Sequence, residues 1–139
     1  KDLYKPDVDI FAKGYYTNSF HIDVDSRLPG YKKIQLEGLF HEICNGGCIT
    51  YIELGEAPLG NEESLEEYIN IAVEAGVHYL GFNFPKDVCN DCGTTGVFDF
   101  CPKCKSKNIT RIRRVSGYLE ILDGFTKGKK AEEKNRRKN

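Results

Sequence analysis

The chain has 139 residues and a mass of 15.8 kDa, the size of one ordinary domain, and its 40% apolar, 29% charged and 12% aromatic content suits a folded globule rather than a disordered chain. Apolar runs are only a few residues long, which excludes a membrane-spanning helix, and the opening KDLYKPDVDI has neither an apolar signal core nor an Arg/Ser-rich presequence, so the chain reads as cytoplasmic. Charge is nearly balanced, with 20 basic against 21 acidic residues.

Residues 1–40 carry turn signals at Lys5-Pro6 and Leu28-Pro29-Gly30 and show no sustained helical period. From Gly47, GCITYIEL is β-branched and aromatic between glycine-rich ends, which predicts a strand. A helix is predicted next. Ser64 and Glu67 form a capping box, Leu65, Ile69, Ala72 and Val73 share one face, and Gly76 sits where a left-handed cap would end it. Val77–Phe84 is a second predicted strand, closed by Pro85. Strand, helix and strand in succession suggest a βαβ unit and an α/β fold. Arg111–Leu122 is again extended in character but broken by Ser116-Gly117. The last thirteen residues, KGKKAEEKNRRKN, hold 7 basic residues against 2 acidic and predict a basic flexible tail over 127–139. The absence of methionine, with lysine first, is what a piece of a longer protein would show.

Cys89-Asn90-Asp91-Cys92 and Cys101-Pro102-Lys103-Cys104 are paired CxxC motifs separated by eight residues. Two residues between cysteines let both sulfurs of one tight turn face one ion, and Gly93 supplies backbone freedom for such a turn. Two facing knuckles make a closed four-cysteine site, a structural zinc ribbon; a rubredoxin-type iron centre uses the same ligands and stays open. Nothing points to the oxidising compartment that disulfides need, nor to the thioredoxin-like context of a redox CxxC. Cys44 and Cys48, with His41 nearby, are either a second metal or redox site or small buried side chains at the start of a strand. His21 and His78 read as packing or hydrogen-bonding residues.

Gly117, between β-branched and aromatic residues in RRVSGYL, is locally odd: it marks a plain turn, a bulge, or a place where a Cα without a side chain is needed. RVSGYL near the C-terminus, preceded by two CxxC knuckles, resembles the C-terminal region of the anaerobic (class III) ribonucleoside-triphosphate reductases, which are glycyl radical enzymes. YYTNSFHIDVD at Tyr15–Asp25 and NGGCITYIELGE at Asn45–Glu56 extend the resemblance over most of residues 15–119. Ser116 departs from those members that have cysteine before the radical glycine, so no redox role for that cysteine carries over.

The resemblance implies a C-terminal fragment of a ten-stranded α/β barrel, with barrel elements over residues 1–86, a zinc ribbon over 87–108 and a glycyl radical loop over 109–126. It implies that Gly117 stores a radical installed by a radical-SAM activase. That radical would generate a thiyl on a barrel cysteine, which takes the 3′ hydrogen of a ribonucleoside triphosphate. None of the six cysteines here matches the thiyl residue. Action would require the rest of the reductase chain or a separate barrel subunit, and the full enzyme would be a homodimer. A competing reading is a zinc ribbon without catalytic activity that binds nucleic acid through Lys103, Lys105, Lys107, Arg111, Arg113 and Arg114.

Overall fold

The computed structural model describes residues 10–17, 19–115 and 117–139; Lys5-Pro6, Asn18 within Tyr15–Asp25, and Ser116 lie outside them. A short helix α1 (Ile10–Lys13) leads into an irregular stretch, where Lys13 and Thr17 both reach the carboxylate of Asp23. The next element, helix α2 (Gly30–His41), corrects the expectation that residues 1–40 lack a helix. Its buried positions, Gly30, Lys33, Ile34, Glu37, Gly38 and His41, do recur at helical spacing. Most of them are glycines and polar residues, so a search for apolar periodicity passes over them. The apolar side chains Leu36, Leu39 and Phe40 lie on the exposed side instead.

Strand β1 (Thr50–Glu53), helix α3 (Glu62–Glu74) and strand β2 (Leu80–Asn83) follow, and the strands pair in parallel with Thr50 opposite Leu80 and Glu53 opposite Asn83. This is the βαβ unit expected, with two differences inside it. The helix starts at Glu62 after Asn61, so Ser64 lies within the first turns and caps nothing. The packed stripe is Tyr68, Ile71, Ala72 and Ala75 rather than the Leu65–Val73 face; only Ala72 belongs to both. Ile69 and Val73 are exposed. The C-terminal end matches expectation: Gly76 has φ +71°, its N–H reaches Val73 O at 3.2 Å and Val77 N–H reaches Ala72 O at 2.9 Å, the two bonds of a Schellman motif. Ile34, Ile52 and Ala72 form the buried centre where α2, α3 and the strand pair meet. Gly38 lets α2 approach α3 there, since a Cβ on it would lie 2.3 Å from Ala75 O.

A second sheet follows, with strand order β4-β3-β5-β6: β3 (Lys86–Cys89), β4 (Thr95–Gly96), β5 (Ile109–Arg114) and β6 (Leu119–Ile121), antiparallel throughout. A 3-10 turn (Leu122–Gly124) then leads to helix α4 (Lys127–Asn135), whose N-cap Thr126 accepts from Lys129 N–H at 3.4 Å. The segment expected to be a basic flexible tail thus carries helix α4 over most of its length. The main-chain N–H of Arg137 reaches Val24 O at 2.8 Å and that of Asn139 reaches Glu53 O at 3.0 Å, while the Arg136 guanidinium pairs with the Glu53 carboxylate. Two parallel strands are what the described residues contribute toward any barrel, and none of their helices is long and apolar enough to cross a membrane.

Candidate metal centre and glycine hairpin

The four cysteines that the sequence singles out converge. Cys89, Cys92, Cys101 and Cys104 place their sulfurs within 4.8 Å of one another, with Cys89 3.5 Å from Cys104 and Cys92 3.5 Å from Cys101. Tetrahedral zinc with Zn–S bonds of about 2.3 Å needs sulfurs about 3.8 Å apart, so these two pairs lie about 0.3 Å inside that edge and no pair exceeds it by more than about 1 Å, a donor set that fits such an ion. The two knuckles are built alike. In the first, Gly93 N–H bonds Cys89 O at 2.9 Å with Gly93 at φ +72°; in the second, Lys105 N–H bonds Cys101 O at 2.9 Å with Lys105 at φ +62°. The residue after each second cysteine thus takes the left-handed turn. Glycine makes that visible in one knuckle and lysine hides it in the other.

Strand pairing and polar side chains brace this cluster. Cys89 ends β3 opposite Ile109 of β5, and Asn90 N–H bonds Asn108 O at 2.9 Å. Asn108 Nδ2 donates to Asp91 at 2.8 Å, and Thr110 Oγ1 donates to Asn90 at 2.9 Å. Cys89 and Cys101 are buried while Cys104 is exposed. The backbone N–H groups of Cys104 and Lys103 draw the Cys101 thiol down to about 6. Cys104 is pushed up to about 12 by the neighbouring thiols, led by Cys92, although the Ser106 N–H pulls it the other way. A cation bound by the four sulfurs would displace their protons.

Among the described residues one other group has such proximity: His41, Cys48 and His78, again within 4.8 Å. Its hydrogen bonding makes it a poor ligand set. His41 Nδ1 accepts the His78 backbone N–H at 3.0 Å, so the ring proton sits on Nε2, 3.0 Å from Thr50 Oγ1. Both nitrogens are committed, and no lone pair is left for a metal. His21 hydrogen-bonds Glu37 at 3.3 Å, and Glu37 also accepts Ile22 N–H at 2.9 Å. Burial raises the Glu37 carboxyl, but His21, Lys33 and Ile22 together hold it below its ordinary range.

Gly117 lies in the hairpin tip between β5 and β6, where Arg114 pairs with Leu119. It is exposed, its φ is +76°, and a Cβ built on it meets nothing within 4 Å. The sheet that carries it is the sheet that carries Cys89, with β5 common to both. Two arginines hold the tip. Arg114 donates to Gly117 O at 3.1 Å while its guanidinium stacks 4.0 Å from the Tyr51 ring and contacts the Tyr51 hydroxyl. Arg136 donates to Val115 O at 3.2 Å. Local sequence offers no signal for either contact, since Tyr51 and Glu53 on one side and Arg114 and Arg136 on the other are far apart in the chain.

These contacts also shrink the basic patch that a nucleic-acid reading would use. Arg113 turns inward to buried Asp87 at 2.6 Å, Arg114 is held by Tyr51, and Arg111 pairs with Asp99 at 3.1 Å. Lys103, Lys105 and Lys107 remain exposed.

A family model described as anaerobic ribonucleoside-triphosphate reductase matches residues 1–139. The anaerobic ribonucleoside-triphosphate reductase of Escherichia coli K12 is 41% identical over 137 residues, covering 89% of this chain and 19% of that protein; its namesake from enterobacteria phage T4 is 36% identical over 135 residues, covering 89% and 22%. Among solved structures, an anaerobic ribonucleotide reductase superposes with a TM-score of 0.69 at 27% identity, covering 85% of this chain and 19% of that one. The Thermotoga maritima anaerobic ribonucleotide reductase with glycerol in the active site gives 0.61 at 28%, covering 81% and 18%. The chain thus spans about a fifth of the length of these relatives. A family match over all of residues 1–139 and relatives up to 41% identical lead to one conclusion: the chain belongs to the anaerobic ribonucleoside-triphosphate reductase family.

Proposed function

We propose that this chain is the C-terminal, radical-bearing part of an anaerobic ribonucleoside-triphosphate reductase, with Gly117 as the radical store. The observation that carries the reading is the setting of Gly117: an exposed hairpin tip at φ +76°, with open space around its Cα, on the sheet whose other end holds four convergent cysteines. An α-carbon radical is shared between the flanking amide nitrogen and carbonyl, which requires a planar centre. A side chain at that carbon would crowd the planar form and block the abstracting group. In this reading a radical-SAM activase removes one hydrogen atom from Gly117 Cα, breaking that C–H bond homolytically. The stored radical then regains a hydrogen atom from a cysteine thiol of the barrel, and the thiyl formed there takes the 3′ hydrogen of a ribonucleoside triphosphate. That cysteine belongs to the larger part of the reductase, in a cytoplasmic homodimer, so the 139-residue chain alone reduces no nucleotide.

Cys89, Cys92, Cys101 and Cys104 would hold zinc, which supplies folding free energy to the base of the hairpin and takes no part in the chemistry. The exposed apolar side chains Leu39, Ile43, Ile69 and Val73 support the need for further barrel structure, because a self-sufficient domain would cover more of them. Anaerobic incubation with the activase and a reductant, followed by electron paramagnetic resonance, tests the assignment. The expected signal is a doublet from the Gly117 α-hydrogen that disappears in Gly117→Ala. A doublet that survives this substitution would place the radical elsewhere.

A further inference from the structure

Helix α4 and the residues beyond it form a docked element with almost no apolar side chain. Its sequence, KGKKAEEKN, offers only Ala131, and a nine-residue helix of that composition would be marginal on its own in water. What docks it is Arg136. Its side chain is 12% exposed and reaches Glu53 of β1, Glu132 at 2.9 Å and Val115 O at 3.2 Å, with Glu133 at 3.5 Å. Asn139 fastens the end of the segment: Asn139 N–H bonds Glu53 O at 3.0 Å, and Glu53 N–H bonds Asn139 Oδ1 at 3.1 Å, on the side of β1 away from β2. Arg114 makes a second link from β1 to the hairpin tip, from Tyr51 to Gly117 O.

We propose that Arg136 and Arg114 are positioning residues that clamp the Gly117 tip to β1, with α4 as the arm that carries the first of them. The reading rests on Gly117 as the functional residue. It adds the contacts that would part if the tip left β1 to meet the activase and re-form on its return. Each clamp ends on a main-chain carbonyl of the tip, Val115 O and Gly117 O, and each is rooted on a β1 side chain, Glu53 and Tyr51. Releasing the carbonyls therefore leaves the root pairs intact and the arginines preset for recapture. A lysine cannot substitute. The guanidinium fork of Arg136 serves Glu53, Glu132 and Val115 O together, whereas a lysine ammonium is a point charge on a flexible stem.

Backbone ¹⁵N relaxation of the whole zinc-loaded chain tests the clamp without any radical. In the unaltered chain the Val115 and Gly117 amides should show order parameters of about 0.85, like the adjoining strands. Arg136→Lys and Arg114→Lys should each lower them below about 0.6 while β1, β2 and the knuckles keep theirs. Tip order equal to that of the unaltered chain in both variants would overturn the clamp. So would an unaltered tip already as mobile as in the variants, or a loss of order spread over β1 and β2. The two readings fail separately. Absence of a doublet from the unaltered, activated chain refutes the radical store, whereas the relaxation data alone decide the clamp.

Discussion

Around β1 and β2 the buried centre is Ile34, Ile52 and Ala72, ringed by Leu54, Tyr68, Ile71, Leu80 and Phe82. Around β3–β6 the side chains removed from water are Cys89, Cys101 and Asp87, while Val97, Phe100, Leu119 and Ile121 stand exposed. The first region is an ordinary apolar sandwich of helix on strand, although it leaves apolar surface uncovered on its outer side. The second has too little buried hydrocarbon to account for a four-stranded sheet, so the proposed metal and one buried ion pair would hold it. The difference suits the work proposed for each. A barrel wall is stabilised by packing against more barrel, whereas a sheet bearing a radical-storing tip keeps its shape with few neighbours if an ion ties its base.

The comparison breaks most sharply at the cysteines. Chelating the metal, or replacing Cys101 with serine, should unfold β3–β6 outright while the β1–α3–β2 amides keep their dispersion and protection in two-dimensional NMR. Cooperative loss of both regions would show that they are one folding unit. The buried ion pair comes next. Asp87 is 1% exposed, pairs with Arg113 at 2.6 Å and accepts Phe98 N–H at 3.0 Å. Asp87→Ala leaves Arg113 with Glu133 at 3.4 Å as its one acidic partner, beside the Ile112 and Lys86 carbonyls, and should cost about 3–5 kcal/mol in urea unfolding read on the second sheet. A value below about 1 kcal/mol would mean that the metal alone carries that sheet.

The smallest effect belongs to the first region and to pH. Burial, helped by His78 and opposed by Glu37, lowers the affinity of His41 for a proton, and protonating Nδ1 would break its bond to the His78 N–H. The unfolded chain binds that proton near 6.5 and the folded chain only at lower pH. Between those values the unfolded state holds more protons, so stability falls as pH falls below about 6.5, by less than one proton's slope. His41→Gln, which takes up no proton, should flatten that decline in denaturation midpoints of β1–β2. An unchanged slope would show that other groups produce it.

Much of this was legible in residue order. Paired CxxC motifs with Gly93 announced the knuckles because thiolate chemistry and turn geometry are local. Gly76 announced the end of α3 because only a left-handed residue closes a Schellman motif. α2 stayed hidden because its inward stripe is Lys33, Glu37, His41 and two glycines, and burying such groups is tolerable only with partners that one helix cannot reveal. Glu37 needs His21 and the Ile22 N–H, and His41 needs Thr50 and the His78 N–H.

The C-terminal segment shows the same limit. Composition marked residues 127–139 as basic and solvated, which would be right for a chain with nothing acidic to meet. In the fold, Glu53 waits on β1, 83 residues from Arg136. Sequence alone determined the local chemistry: which residues can ligate, turn, cap or form a strand. Tertiary structure decided which charges were removed from water together, because burial and pairing depend on distance in space, and only the folded chain sets that distance.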